Sequence, residues 1–444
     1  DKIVKSAWDS GDPGLWNRDL ANLIINEKIP DNVINATNPC GEESLYDFES
    51  CNLGSINLVR YVDGGGVRWG ELADDVRLAV RFLDDVIDVN KMPSEKLREA
   101  NLAGRRIGLG INGFADALIA LGIRYDSPQA IALADLVASF VYSIAIKAST
   151  ELAREKGVPP LFKFSDWARG VLPWQKAWNR LVKLSEEFSE VDEYLTTLRE
   201  GYKYIGRIAE HAWQVLKLYG ATETELRNEV RRGVRNMAIM SIAPEGSRSL
   251  IAGVNSSIEP LFAIAYVRNL SIGKLIEYNL TALRLLMETK SLDPFTKHFV
   301  EEEGRLPSNH PLADLLRTAH EIHWKWHVYM QVTWARWNDS GVSKTINLPS
   351  DATIEDVDGA FKLAWLLGAF GITVYRDKSK SVQVIYTGTN KKTTEVKTNN
   401  TFSLVGIKDK LASLTTLNND PIEDTMKAEL GETDDPYCKT GSCG

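Results

Sequence analysis

Four cysteines in 444 residues fall into two clusters: Cys40 and Cys51, eleven apart, and Cys438 and Cys443, five apart. Around the first, Asn38-Pro39-Cys40-Gly41-Glu42 sets an amide, a thiol and a carboxylate at alternate positions. If that stretch is locally extended, the three side chains face one way. A carboxylate there can accept from a hydroxyl or act as a general base, and an amide can orient a second hydroxyl. The plainer alternative is a turn that Asn38 caps and Pro39 stiffens, with Cys40 and Cys51 serving as small buried hydrophobes. Cys438 and Cys443 follow a stretch rich in Thr, Asn, Lys and Asp, so core packing does not account for them. Two accessible thiols on a solvated tether suit a dithiol carrier that attacks a disulfide within the protein. The rival, a zinc site, would need two more ligands.

A second group is Pro244-Glu245-Gly246-Ser247-Arg248-Ser249, which follows the apolar run Asn236–Ala243. A strand entering a Gly-containing turn that opens a helix offers backbone N–H groups to an anion, and Arg248 adds a charge-assisted contact. Glu245 is an unfavourable neighbour for a phosphate unless it turns away. The same pattern also makes an ordinary tight turn. His320, His323 and His327 recur at helical spacing, but a fourth ligand is missing and tryptophans frame the segment, so the expectation is no metal site.

The elements that must hold these residues read as α/β. Asn236–Ala243, Ser343–Leu348 and Ile372–Tyr375 have buried-strand length, and Cys51–Val59 reads as a loop entering a strand. Helical spacing spans Glu71–Leu97, Ser127–Lys156 with Gly157 as its stop, most of 161–235, 309–338 and Ile354–Gly368. Short apolar strands alternating with helices imply parallel strands. Residues 1–388 read as the folded part, 389–436 as a linker or tail, and 437–444 as a cysteine-bearing end.

Lys+Arg is 52 against 60 Asp+Glu, a net charge of −8, which argues against a general nucleic-acid binder. Ile131–Ile146 is apolar but carries Asp135 and two serines, and reads as a buried helix, with no membrane partner implied. No basic-then-apolar leader pattern is visible, and four cysteines are too few for a disulfide scaffold, so the expected location is cytoplasmic.

Asn38–Glu42 followed by Glu49-Ser-Cys51-Asn-Leu-Gly-Ser-Ile-Asn-Leu58 resembles the finger loop, about residues 36–58, of ribonucleotide reductase large subunits. Further segments agree in the family's order: Ala7–Gly14, Arg105–Gly110 with Gly113–Asp116, Ala243–Ser249, Ile258–Pro260, Val342–Pro349 and Gly371–Asp377. The resemblance implies the C-terminal half of a ten-stranded α/β barrel threaded by that finger loop. It implies that Cys40 is the thiyl-radical cysteine, that Glu42 takes the 3′-hydroxyl proton and that Asn38 holds ribose hydroxyls. Cys51 would be one of the reducing dithiols, and Cys438 and Cys443 the shuttle fed by a thioredoxin-like reductant. Pro244–Ser249 would hold the phosphates of a ribonucleoside di- or triphosphate.

Thr373-Val-Tyr375-Arg376 has one tyrosine where enzymes with a separate metallo-radical subunit carry two, so the resemblance favours the adenosylcobalamin-dependent class over that class. It also implies an N-terminal half elsewhere, bearing the effector site, the partner of Cys51 and much of a dimer interface. The alternatives are a fragment of the metallo-radical class and a non-catalytic relic of the fold.

Overall fold

The computed structural model describes residues 2–270, 273–379 and 385–387. Contacts divide the chain into units Asp1–Asn390 and Lys391–Gly444, and every described residue belongs to the first. Cys438, Cys443 and the tail from 389 onward lie outside the described residues.

The strands in chain order are β1 (Leu15–Trp16), β2 (Ala36–Thr37), β3 (Ser44–Leu45), β4 (Asn52–Asn57), β5 (Val62–Asp63), β6 (Gly66–Val67), β7 (Ile107–Asn112), β8 (Ala265–Leu270), β9 (Gly273–Tyr278), β10 (Thr345–Leu348), β11 (Gly371–Arg376) and β12 (Ile385–Thr387). β4 pairs parallel with β7, and β10 parallel with β11. Parallel bridges Leu109↔Met240 and Ile242↔Val342 join the two pairs. Five extended segments therefore lie side by side: β4, β7, 238–242, 342–348 and β11. β1 closes on β11 antiparallel.

Asn236–Ala243 thus sits where a strand is expected but lacks a continuous ladder. The N–H groups of Ile239 and Met240 go to the Asp339 carboxylate at 2.8–3.0 Å. A side chain has taken the donors that a neighbouring strand would have used.

β7 shows why this sequence makes a central strand. All six residues of Ile-Gly-Leu-Gly-Ile-Asn are buried. Side chains alternate across a strand, so Ile107, Leu109 and Ile111 point one way and Gly108 and Gly110 the other. The glycine face is crowded. A Cβ on Gly110 would stand 2.5 Å from the Ser241 carbonyl oxygen, and one on Gly108 would stand 2.4 Å from Leu53 Cδ2.

Helix Pro128–Lys156 carries the core behind the sheet. Ser127 caps it by accepting from Ala130 N, Pro128 opens it, and Gly157 ends it at φ +83°. It is long and apolar enough to cross a bilayer, but 89% of its most apolar window is buried inside the protein. The burial is on all sides, as expected for a core helix. Each fully buried Leu, Ile or Phe side chain there contributes roughly 1.5–3 kcal/mol.

Two helix expectations need correction, and one helix is added. Glu71–Leu97 divides into Trp69–Val89 and Glu95–Gly104, because Pro93 intervenes and Ser94 caps the second helix. Of 309–338, the α-helix takes only Trp324–Arg336, where His323 supplies the cap. An N-terminal helix, Lys2–Ser10, adds to the helices expected from the sequence.

A second cluster, including Leu261, Ile264, Leu286 and Val300, lies beside the antiparallel sheet β12–β8–β9. A third, with Leu20, Ile24, Ile34, Tyr46 and Phe370, underlies the hairpin of β2 and β3.

Candidate active site

That hairpin carries Cys40. β2 and β3 pair antiparallel, Ala36↔Leu45 and Thr37↔Ser44, and residues 38–43 form the tip. Asn38 ties the turn twice through its backbone: its N–H donates to Glu43 O at 3.1 Å, and its carbonyl accepts from Gly41 N at 3.0 Å. Its side-chain Oδ1 accepts from Glu43 N at 3.1 Å. Gly41 takes φ +80°, open to glycine at little cost.

The tip is therefore a turn, and the expected common face for Asn38, Cys40 and Glu42 does not form. Cys40 is exposed, whereas Glu42 is buried. The glycine turn and the Asn38 cap break the period-two alternation that an extended stretch would have kept.

The tip packs into the sheet. Ser241 Oγ donates to Glu42 O at 3.2 Å. A Cβ on Gly341 would stand 2.8 Å from that same oxygen, so the close approach needs glycine there. Glu42 Oε2 is buried without a hydrogen-bond partner. Partial desolvation at the cavity mouth, with the Glu42 charge, pushes the Cys40 thiol up.

Cys40 opens on a cavity of about 330 Å³, walled by Trp16, Pro39, Gln331, Ser343, Lys344 and Thr373 among others. Gln331 Nε2 donates to Gly371 O, while its Oε1 is buried and unpartnered.

Lys344 is buried and donates to Glu259 Oε2 at 2.6 Å, His327 Nδ1 at 3.1 Å and Thr345 O at 3.2 Å. Those three bonds use all the ammonium protons. His327 Nε2 donates to Ala319 O at 3.0 Å, which fixes the neutral tautomer, and burial pushes that imidazole well below its usual value. The three histidines thus have separate surroundings: His327 serves Lys344, His323 caps a helix, and His320 stands against the Phe262 ring. They form no metal comb.

Cys51 precedes β4, is partly exposed, and is a free thiol like Cys40. Behind it, Arg106 is buried with its guanidinium on Glu27, Glu49 (3.6 Å) and Ser340 Oγ (3.1 Å). Burial raises the Glu27 carboxyl, and burial also raises Glu43, to about 7.

Pro244–Ser249 forms a turn into the short helix Gly246–Ala252. Glu245, at φ +62°, turns its carboxylate inward. It accepts from Ser55 Oγ at 2.9 Å, Asn112 Nδ2 at 3.1 Å and Arg248 Nη2 at 2.6 Å. Arg248 also donates to Leu53 O, so its charge is already engaged. Gly246 and Ser249 line a separate cavity of about 570 Å³ with Asn255, Ser256, Glu259 and Asn347. Lys344 walls the Cys40 cavity, and its partner Glu259 walls this one.

Sequence reasoning singles out neither Glu43, Arg106, Gln331 nor Lys344. Glu43 directly follows Glu42, and Lys344 sits inside the Val342–Pro349 stretch, so both are in view. Arg106 sits inside the Arg105–Gly110 stretch, but its role depends on partners from distant segments, and Gln331 lacks any local signal.

The model of the ribonucleotide reductase barrel domain matches residues 1–375. The chain belongs to that family. A vitamin B12-dependent ribonucleoside-diphosphate reductase of Thermoplasma acidophilum is 38% identical over 455 aligned residues, covering 100% of this chain and 48% of the relative. One of Mycobacterium tuberculosis strain H37Rv is 37% identical, over 87% of this chain and 46% of its own. The ribonucleoside-diphosphate reductase subunit alpha of Chlamydia trachomatis is 30% identical, over 86% of this chain and 35% of its own. This reductase-family chain spans about half the length of the curated B12-dependent relatives.

Proposed function

We propose that this chain is the catalytic barrel portion of an adenosylcobalamin-dependent ribonucleotide reductase, reducing ribonucleoside di- or triphosphates to 2′-deoxyribonucleotides in the cytoplasm. The observation that carries the reading is the exposed Cys40 thiol at the tip of a hairpin whose return arm, Glu42 to Ser44, is buried. It opens on a cavity, with the unpartnered Glu42 carboxyl oxygen buried in the same turn.

In this reading Cys40, as a thiyl radical, takes the ribose 3′ hydrogen. Glu42 accepts the 3′-hydroxyl proton, for which its free Oε2 is suited. Asn38 holds a ribose hydroxyl through its amide NH2, since its Oδ1 is committed to the turn. Cys51 and a thiol of the companion portion supply two electrons to C2′, whose hydroxyl leaves as water. Cys438 and Cys443 return the pair to the dithiol state with electrons from a thioredoxin-like protein. Gly246, Ser247 and Ser249 offer the substrate phosphates a helix start, while Pro244 shapes the turn and Glu245 and Arg248 brace it.

The residues at the Cys40 cavity fit the cofactor: the thiol is exposed to a group arriving from outside, and Gln331 Oε1 in the same wall lacks a donor. When bound, adenosylcobalamin supplies a one-electron oxidising equivalent through its cobalt–carbon bond. Trp16, Pro39 and Gln331 are the side chains that would face it. The single Tyr375 on β11 and the higher identity to B12-dependent relatives favour this class over one with a separate radical subunit.

The five parallel segments would form half of a ten-stranded barrel. The other half would supply the effector site, the Cys51 partner and a dimer interface.

The test is an anaerobic assay of this chain with its companion portion, a dithiol and a ribonucleotide, with and without adenosylcobalamin. Deoxynucleotide formed only with the cofactor supports the reading. Product that instead needs a separate radical subunit contradicts the cofactor assignment, and no product from a folded complex points to a binding relic.

A further inference from the structure

Glu43 and Cys51 meet over a glycine. A Cβ on Gly108 would stand 2.8 Å from Glu43 Oε1 and 2.9 Å from Cys51 Sγ, so both side chains reach the same small space beside β7. Neither carboxyl oxygen of the buried Glu43 has a hydrogen bond of full geometry. The Ser241 hydroxyl and the Cys51 thiol stand nearest as weaker partners. Cys51 Sγ otherwise makes only a weak contact, 3.6 Å to Asn52 O. A buried carboxylate without full hydrogen bonds is costly, so burial favours the protonated carboxyl, a proton donor held beside the Cys51 sulfur.

We propose that Glu43 is the acid–base partner of the Cys51 sulfur, protonating it when a disulfide at Cys51 is reduced. The redox step rests on the reductase reading above; the pairing of the two groups does not.

The step balances as a thiol–disulfide exchange. A thiolate of an external dithiol attacks the sulfur bonded to Cys51, and a new S–S bond forms to the attacking sulfur. The old S–S bond breaks with its electron pair going to Cys51 Sγ. Glu43, as the acid, gives its proton to that thiolate and is left as a carboxylate, to be reprotonated from solvent. The second thiol of the reductant then resolves the mixed disulfide. The dithiol ends oxidised, and Cys51 and its former partner end as thiols.

The surrounding charges suit this role. Burial raises Glu43 to about 7 against the pull of Arg106, with Glu42 adding repulsion. Cys51 is raised by burial and by Glu43, is lowered by Arg106, and feels Asp339. Glu43 can thus hold a proton near neutral pH and release it to a thiolate, which is the stronger base.

The test is alkylation of Cys51 by iodoacetamide in the folded full chain from pH 5.5 to 8.5, followed by mass spectrometry of its peptide. The exposed Cys40 in the same digest is the reference. In Glu43→Gln the rate ratio to wild type should climb from about one at pH 5.5 to about ten at pH 8.5, because an ionised neighbour has been removed. Glu43→Asp should keep the wild-type profile. A ratio that does not change with pH would mean loosened packing only and would overturn the proposal.

If the Gln variant loses its fold by circular dichroism, the wild-type profile decides. An inflection near pH 7 for Cys51, absent for Cys40, supports the pairing, and a smooth single-thiol curve overturns it. Since no turnover is needed, failure of the deoxynucleotide assay and failure of this pairing are separate results.

Discussion

Gly108 is the residue on which the site's spacing depends. A methyl there meets Leu53, Glu43 and Cys51, all through side-chain ends that can give way. Gly108→Ala should therefore cost about 1–3 kcal/mol in urea unfolding, the usual range for overpacking, and displace Cys51. An unchanged midpoint would mean the crowding is not there.

Glu42 offers a cleaner functional change. Glu42→Gln keeps the shape and removes the base, so turnover should fall about 10²–10⁴-fold with the fold intact. Activity within a few-fold of wild type would remove Glu42 from the proposed chemistry.

Glu43 also carries a stability consequence with a definite sign. Burial lifts its carboxyl from 4.5 to about 7, so between those values the folded chain binds more protons than the unfolded one. Its contribution is full below about pH 4.5 and is lost as pH rises toward 7. The buried His327, held neutral, works the other way below its ordinary value, so the comparison must be with a variant. Glu43→Gln should gain on wild type by up to about 3 kcal/mol between pH 4.5 and 7.5, read as urea midpoints. A gap that stays constant with pH would contradict the buried, raised carboxyl.

At the scale of elements, β7 illustrates how the site is built. Its apolar positions face the core, and its glycines let the neighbouring backbone and the finger hairpin close in. Gly110 differs from Gly108 because its neighbour is the Ser241 carbonyl oxygen, 2.5 Å from a would-be Cβ. Backbone cannot swing aside, so Gly110→Ala should destabilise more than Gly108→Ala, by more than about 3 kcal/mol. Equal effects would mean that 238–242 is not seated against β7 as described.

The same elements mark what the sequence could tell. The Ser127 cap and the Gly157 stop bound the core helix to the residue, because capping chemistry is local. β10 and β11 are legible as short apolar runs between helices. Asn236–Ala243 is legible as buried and extended, but not as interrupted, since the Asp339 carboxylate that takes its donors lies about a hundred residues away. The finger motif draws attention to Asn38, Cys40, Glu42 and Cys51, yet simple alternation misplaces the faces of the first three, because a glycine at φ +80° turns the chain between Cys40 and Glu42. Glu43 acquires its character only from Arg106, Gly108 and Cys51 converging in space.

At the scale of the whole molecule, β4 bears on the proposed companion portion. Among the described residues it pairs with β7 alone, and the adjoining helix Trp69–Val89 exposes Leu78, Phe82 and Val89 at 64%, 65% and 76%. A strand edge with no partner strand among the described residues, and an exposed apolar helix face, each invite association. By sedimentation, the chain alone should self-associate and become a defined complex with its companion portion. A stable, monodisperse monomer would count against the half-barrel reading.

The most direct test of the central claim is the deoxynucleotide assay run on Cys40→Ser beside wild type, in the folded complex with adenosylcobalamin, ribonucleotide and dithiol. Oxygen in place of sulfur leaves the hairpin unchanged and removes the group proposed to carry the radical. The account requires that product vanish in the variant while substrate binding is retained. Turnover by Cys40→Ser at a rate near wild type would contradict it.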